Sequence, residues 1–125
     1  MKFLLDTHTL LWWLSDNPTL TNEARNAIAN GENLIFVSAV SAWEIAIKKA
    51  IGKLVAPDDL ASAIVVNAFQ SLPITIEHVI AAGVLPQYHK DPFDRMLVAQ
   101  AKLEQLTIIT RDPQFIPYGE PIISA

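Results

Sequence analysis

An α/β fold, with a parallel sheet covered on both faces, is what this sequence predicts, and three observations predict it. Short, almost wholly apolar segments recur at 2–5 (KFLL), 34–37 (LIFV) and 107–110 (TIIT). Their apolar character is continuous instead of alternating, which marks strands buried on both faces, as parallel sheets require. Helix-length segments with capping residues separate them, so strand and helix alternate along the chain. The 125 residues suit one domain, spanning 1–125, that can bury a real core.

The elements follow in order. Residues 2–5 read as a buried strand. Residues 8–15 read as a helix capped by Asp6 or Thr7, because both side chains can accept an orphan helix N–H. Residues 21–30 read as a second helix, stopped by Gly31. After the strand at 34–37, a helix at 39–51 has Ser38 or Ser41 as its cap and Gly52 as its stop. Asp58 or Asp59 can cap a helix over 59–71, followed by a short apolar piece, Leu72 to Ile74. Thr75 can cap a helix over 76–84. Asp91-Pro92 opens a helix that runs to Leu106, since proline suits the first helical position. Residues 107–110 are a strand, and 121–124 (PIIS) a last one. No repeat, low-complexity tract or linker interrupts the pattern.

Composition narrows the function classes. The chain is 51% hydrophobic, which excludes a disordered polymer. It has no cysteine, hence no disulfide framework and no thiolate metal site; that suits a reducing cytoplasm. No apolar run reaches the roughly 18 residues of a membrane span, and the first residues lack the flanks of a signal peptide. A net charge of −4 argues against a passive nucleic-acid binder with a basic face.

Four acids stand where such a fold gathers its chemistry. Ligands of open parallel sheets bind beyond the carboxyl ends of the strands. Asp6 leaves the first strand there, and Asp112 leaves TIIT in the same way. Glu44 lies in the helix after LIFV, and Asp94 in the first turn of the helix before TIIT. A carboxylate cluster without fixed basic partners is costly unless a cation fills it, and Mg²⁺ or Mn²⁺ suits such oxygen donors. Each acid also has a structural reading. Asp6 can cap the next helix. Ser41 and Glu44 have capping-box spacing, while Glu44 and Lys48 stand at i, i+4. Asp94 suits a helix dipole, and Asp112-Pro113 can start a turn.

Taken together, LLDTHTLLW, VSAVSAWEIAIKKAIGKL, DPFDRMLVAQA and TIITRD resemble the PIN-domain ribonucleases, and most closely the VapC-type toxins of toxin–antitoxin pairs. The resemblance covers nearly the whole chain, with the four motifs in the family's order. It implies a three-layer α/β/α domain with a parallel sheet of about five strands. It places the family's catalytic, metal-holding acids on Asp6, Glu44, Asp94 and Asp112. It also implies Mg²⁺- or Mn²⁺-assisted hydrolysis of RNA phosphodiester bonds, leaving 5′-phosphate and 3′-hydroxyl ends. A homodimer, a cognate antitoxin partner and a cytoplasmic, membrane-free setting complete the expectation.

The four acids account for the whole net charge of −4, so bound cations would remove the electrostatic objection to RNA. Lys48, Lys49, Lys53, Lys90, Arg95 and Arg111 lie near the motifs and can contact phosphates, with a solvated surface charge the commoner role for each; Arg95 and Arg111, each beside a site acid, are the better candidates. Thr7, His8 and Thr110 can touch substrate, and the two threonines can instead orient carboxylates. None of His8, His78 and His89 has metal-ligand spacing, so packed or surface histidines are expected. The run LLWWL at 10–14 leaves no polar helix face, which suggests that Leu10, Trp12 and Trp13 meet another chain; the alternative is internal packing under residues 16–20. Two other classes fit parts of the pattern. A haloacid-dehalogenase-type phosphatase also places an Asp after its first strand, but needs a second Asp two residues later, where this chain has His8. An inactive α/β interaction module would keep the fold alone.

Overall fold

The structure, a computed structural model, describes residues 1–125. In chain order the elements are β1 (Lys2–Leu5), α1 (Thr7–Leu14), α2 (Asn22–Ala29), β2 (Leu34–Ser38), α3 (Ala39–Ala50), α4 (Leu60–Val66), β3 (Gln70–Leu72), α5 (Ile76–Gly83), α6 (Pro92–Glu104), β4 (Thr107–Thr110), a 3-10 turn (Pro113–Tyr118) and β5 (Ile122–Ser124). The five strands pair in parallel in the order β3-β2-β1-β4-β5. The chain winds outward from β1 to β3, then crosses back to lay β4 on the other side of β1. The gap between β1 and β4 is therefore the topological switch point, where such sheets open a crevice.

Strand parity assigns the two faces. Phe3, Leu5, Ile35, Val37 and Ile109 join one apolar cluster with Leu10 and Leu11 of α1, Ala24 and Ile28 of α2, and Ile64 of α4. Leu4 and Ile108 join the other, with Leu97, Val98 and Ala101 of α6. This is the three-layer α/β/α arrangement expected from the sequence. Helix α3 serves both layers, since Val40 belongs to one cluster and Ile45 to the other.

Two expectations need correction. The helix predicted over 59–71 ends at Val66, and Gln70–Leu72 is the edge strand β3. Asn67 closes α4, and Ala68 takes a left-handed φ of 58°, a turn usually announced by glycine. The chain then drops Phe69 into the core. The second correction concerns LLWWL. Leu10 is fully buried and belongs to the core, so it cannot meet another chain. Trp12 and Trp13 are half-buried against the same cluster. The Trp13 indole donates to Asn67 Oδ1 at 3.0 Å, and Trp12 stacks on His8 beneath the Arg111 guanidinium. An eight-residue helix this apolar is enclosed by its own chain on most sides.

A buried polar link fixes α6 relative to β2 and α3. Gln100 on α6 is fully buried. Its Oε1 accepts the Ser38 hydroxyl at 2.5 Å, and its Nε2 donates to the Pro73 carbonyl at 3.3 Å. Ser38 in turn accepts the Val40 amide and caps α3. Buried polar groups are costly only when unpaired, and here each has a partner. Gln100→Ala is predicted to lower the unfolding free energy by ~2–4 kcal/mol, from the cavity and the orphaned Ser38 and Pro73 groups. Urea denaturation measures this, with the exposed Gln114→Ala staying within ~0.5 kcal/mol of wild type.

Candidate active site

Asp6 sits at the switch point, and its two oxygens do different work. Its amide still donates to Ile109 of β4 at 3.2 Å, so the β1–β4 ladder reaches into the site. Oδ1 accepts the Thr9 amide at 2.9 Å and caps α1. Oδ2 accepts the Thr110 hydroxyl at 2.5 Å. The capping reading of Asp6 therefore holds for Oδ1, while Oδ2 stays at the crevice with Thr110. Thr110 Oγ1 also accepts the Asp112 amide at 3.0 Å, which ties the turn after β4 to the same spot. Burial raises the Asp6 pKa, and the bonds from Thr110 and Thr9 only partly oppose it.

Asp94 comes from the first turn of α6, across the crevice. Asp91 caps that helix, its Oδ1 accepting the Phe93 and Asp94 amides at 2.8 and 3.3 Å. The Asp94 pKa is pushed up to about 7, first by burial, then by the like charges of Asp91, Asp6 and Glu44, against the pull of His89. That mutual repulsion shows that acids 88 residues apart in sequence share one field.

His89 is the group that sequence reasoning missed. Its Nε2 lies 2.8 Å from Asp94 Oδ2 and 3.3 Å from Asp112 Oδ2, and the residue is buried. Its partners lie five and 23 positions further on, so no short histidine motif could announce it. The order His-Lys-Asp-Pro was the only signal, a polar break just before a capped helix.

Glu44 faces the site from α3. The Thr7 hydroxyl donates to its Oε1 at 2.6 Å, and Lys48 Nζ pairs with its Oε2 at 2.5 Å. The cap of α3 is Ser38, so the Ser41–Glu44 capping box does not form and Glu44 is released to the crevice. Its bond to Glu44 raises the Lys48 pKa against partial burial, and the fields of Asp91 and Asp94 add to the rise. Lys48 is therefore the cation that answers this acidic cluster.

The other expected substrate contacts fall elsewhere. Arg95 follows Asp94 in the helix but points about 100° round it. Its guanidinium is spent on the carbonyls of Ala82, Leu85, Pro86 and His89, so the phosphate contact expected of it is replaced by a clamp on the loop before α6. Arg111 has the strand parity of Ile109, opposite to Thr110, and turns to Thr19, the Ala125 carbonyl and the Trp12 ring. His8 is exposed on Trp12. Thr7 and Thr110 are buried and orient carboxylates.

The donor set fits a hard divalent cation. Ligand atoms of His89, Asp94 and Asp112 lie within 4.8 Å of one another, with the buried Asp6 carboxylate linked to them through Thr110. Carboxylates with raised pKa values recover their charge when a cation replaces the proton. A pH dependence follows. Below the ordinary value of 3.8, Asp94 is protonated in folded and unfolded chains alike. As pH rises, the unfolded chain releases that proton first, so stability falls until the folded group ionises near 7. Metal-free protein is predicted to be less stable at pH 8 than at pH 5, and Asp94→Asn to remove part of that slope. Denaturant melts in EDTA across this range test it; an unchanged slope in Asp94→Asn would contradict it.

The comparisons agree with this architecture. The PIN domain family matches residues 3–120. No curated protein sequence matches the chain. Among solved structures, VapBC2 from Rickettsia felis bound to a fragment of promoter DNA is similar, at a TM-score of 0.72 and 15% identity, covering 100% of this chain and 99% of that one. DNA-bound VapBC from Salmonella typhimurium gives a TM-score of 0.69 at 21% identity, covering 99% and 98%. FitAcB from Neisseria gonorrhoeae gives 0.69 at 19%, covering 98% and 96%. These likenesses concern the fold. With the family matched over nearly the whole of this chain, and the acids gathered at the carboxyl ends of β1 and β4, the chain belongs to the PIN domain family.

Proposed function

We propose that this protein is a metal-dependent endoribonuclease, the toxin of a toxin–antitoxin pair, working in the cytoplasm with Mg²⁺ or Mn²⁺. The observation that carries the reading is the convergence of acids from four separate segments: Asp94 and Asp112 meet at His89 Nε2, 2.8 and 3.3 Å away, Asp6 is tied to the same turn through Thr110, and Glu44 faces them from α3, with burial and like charges raising the Asp94 pKa. Perturbed carboxylates crowded in a crevice are the mark of a functional site, because stability alone would disperse them. Family membership supports nuclease chemistry. A toxin–antitoxin complex from Klebsiella pneumoniae shares the fold, at a TM-score of 0.63 and 23% identity, which supports the biological role. No helix is long and apolar enough to cross a membrane.

Asp94 and Asp112 would hold the cation, with Asp6 beside them. Such an ion supplies an activated water for in-line attack at phosphorus and neutralises charge on the leaving oxygen. The chain's own residues prepare the setting. Thr9 and Thr110 hold the Asp6 carboxylate in one orientation. Thr7 and Lys48 do the same for Glu44, which places a paired acid at the α3 wall of the crevice. Thr7 and Thr110 each donate a hydroxyl proton to a carboxylate, which suits them to orienting that acid. Lys48 also offers a positive charge beside the acids, suited to a phosphate.

Partners of stated kind fit the surface. Trp43, Ile47 and Ile51 repeat every four residues along the exposed side of α3, 60%, 38% and 61% exposed. Ile76, Val79 and Ile80 expose a second apolar stripe on α5. Unpolar helix faces of this kind suit an antitoxin segment and a second copy of the chain, with Trp12 and Trp13 contributing only their exposed edges.

RNA cleavage in Mg²⁺ or Mn²⁺ tests the reading. EDTA is predicted to abolish it, and Asp6→Asn and Asp94→Asn to reduce it by more than the ~10–100-fold typical of losing an outer partner of a metal site. Circular dichroism checks that the fold survives. Products should carry 5′-phosphate and 3′-hydroxyl ends. Cleavage that persists without metal would contradict the reading.

A further inference from the structure

We propose that His89 is a positioning residue of this site: its Nε2–H ties the Asp94 and Asp112 carboxylates together from outside, and it is not itself a ligand of the cation. The proposal rests on reading the crevice as a divalent-cation centre, and it goes beyond that reading by giving a role to a residue outside the acid set.

Every polar group of His89 is engaged. Its amide donates to the Tyr118 hydroxyl at 3.0 Å. Its carbonyl accepts Arg95 Nη1 at 3.3 Å. Nδ1 accepts the Asp91 amide at 3.3 Å, and Nε2 faces Asp94 Oδ2 and Asp112 Oδ2 at 2.8 and 3.3 Å. Phe115 packs edge-on against the ring, with centroids 6.0 Å apart. The clamp extends outward, since Tyr118 donates to the Pro86 carbonyl at 2.9 Å and Arg95 grips Ala82 and Leu85. An imidazole held at this many points is oriented for a task.

The partner of Nδ1 decides which task. A neutral imidazole has one donor nitrogen and one acceptor. The Asp91 amide can only donate, so Nδ1 is the acceptor and the proton sits on Nε2. That proton points at two carboxylate oxygens. Ligation through Nε2 would need a bare lone pair there, moving the proton to Nδ1 against the Asp91 N–H. Proximity alone would make His89, Asp94 and Asp112 a three-ligand set; the donor pattern makes two of them ligands and the third their tether.

The tether occupies the Oδ2 atoms and leaves the two Oδ1 atoms for the ion. Asp94 Oδ1 carries no hydrogen bond, while Asp112 Oδ1 takes one, from the Gln114 amide at 2.9 Å, and keeps a lone pair. The arrangement also explains why Arg95, next in sequence to a site acid, turns away from the crevice: it locks the loop that carries His89.

The test uses the whole protein with specifically ¹⁵N-labelled histidine and Mg²⁺, which is diamagnetic. Two-bond ¹H–¹⁵N correlation spectra report the tautomer directly. The expected result is an Nε2–H tautomer at His89 both without and with saturating Mg²⁺; loss of the Nε2 proton when Mg²⁺ binds would overturn the proposal. Calorimetric Mg²⁺ titration gives the second readout. His89→Ala is expected to weaken binding ~10–100-fold. His89→Gln, which restores an N–H donor, is expected to recover most of it. Unchanged affinity in His89→Ala, or equal losses in both variants, would overturn the tether. Asp94→Asn separates the two readings: if it leaves Mg²⁺ affinity at the wild-type value, the cation centre itself is wrong and the tether falls with it. If Asp94→Asn weakens binding while His89→Ala does not, only the tether fails.

Discussion

The hydrogen bond from Thr110 to Asp6 is the contact on which the rest of the site depends. It joins the ends of β1 and β4 across the switch point. Because Asp6 also caps α1 and Thr110 also receives the Asp112 amide, one carboxylate fixes the start of a helix, the end of a strand and the turn beyond it. Parity makes this possible. Asp6 shares the sheet face of Leu4, and Thr110 that of Ile108, so both side chains rise toward α6. A slip of one residue in the β1–β4 register would send one of them into the opposite layer.

Around that contact the molecule accepts an electrostatic cost. Five acids approach the crevice, and one lysine answers them. Burial raises the Asp6 and Asp94 pKa values, and like charges add to the rise at Asp94, the opposite of what carboxylates do when they serve stability. The apolar layers on either side of the sheet offset this cost, and the buried Gln100–Ser38 pair keeps α6 and α3 at the distance the acids need. Unfavourable charge is thus concentrated at one crevice, while buried polar side chains throughout the domain have partners.

Much of this was legible before any coordinates. Continuous apolar strands gave the parallel sheet, and Asp6, Thr75 and Asp91-Pro92 marked helix starts because capping chemistry is local. Placement after strands singled out Asp6 and Asp112, and placement in the adjoining helices Glu44 and Asp94. What stayed hidden was non-local or lacked its usual sign. The end of α4 uses Ala68 in a left-handed turn where glycine would have announced it, so β3 was absorbed into a helix. His89 meets acids from two different segments, which no spacing rule encodes. Arg95 and Arg111 neighbour site acids in sequence, yet helix rotation and strand alternation carry them away. The LLWWL helix read as a surface for another chain, but Asn67, Arg111 and the core itself enclose most of it.

The central claim is that these acids are gathered to hold a divalent cation. Crystals soaked in Mn²⁺, with diffraction recorded on either side of the manganese absorption edge, test it most directly. The account predicts an anomalous peak in the crevice bounded by Asp94, Asp112 and Asp6, bonded to carboxylate oxygens and with His89 Nε2 outside the coordination sphere. A crevice without anomalous density at saturating Mn²⁺, or an ion bound only elsewhere on the surface, would contradict it.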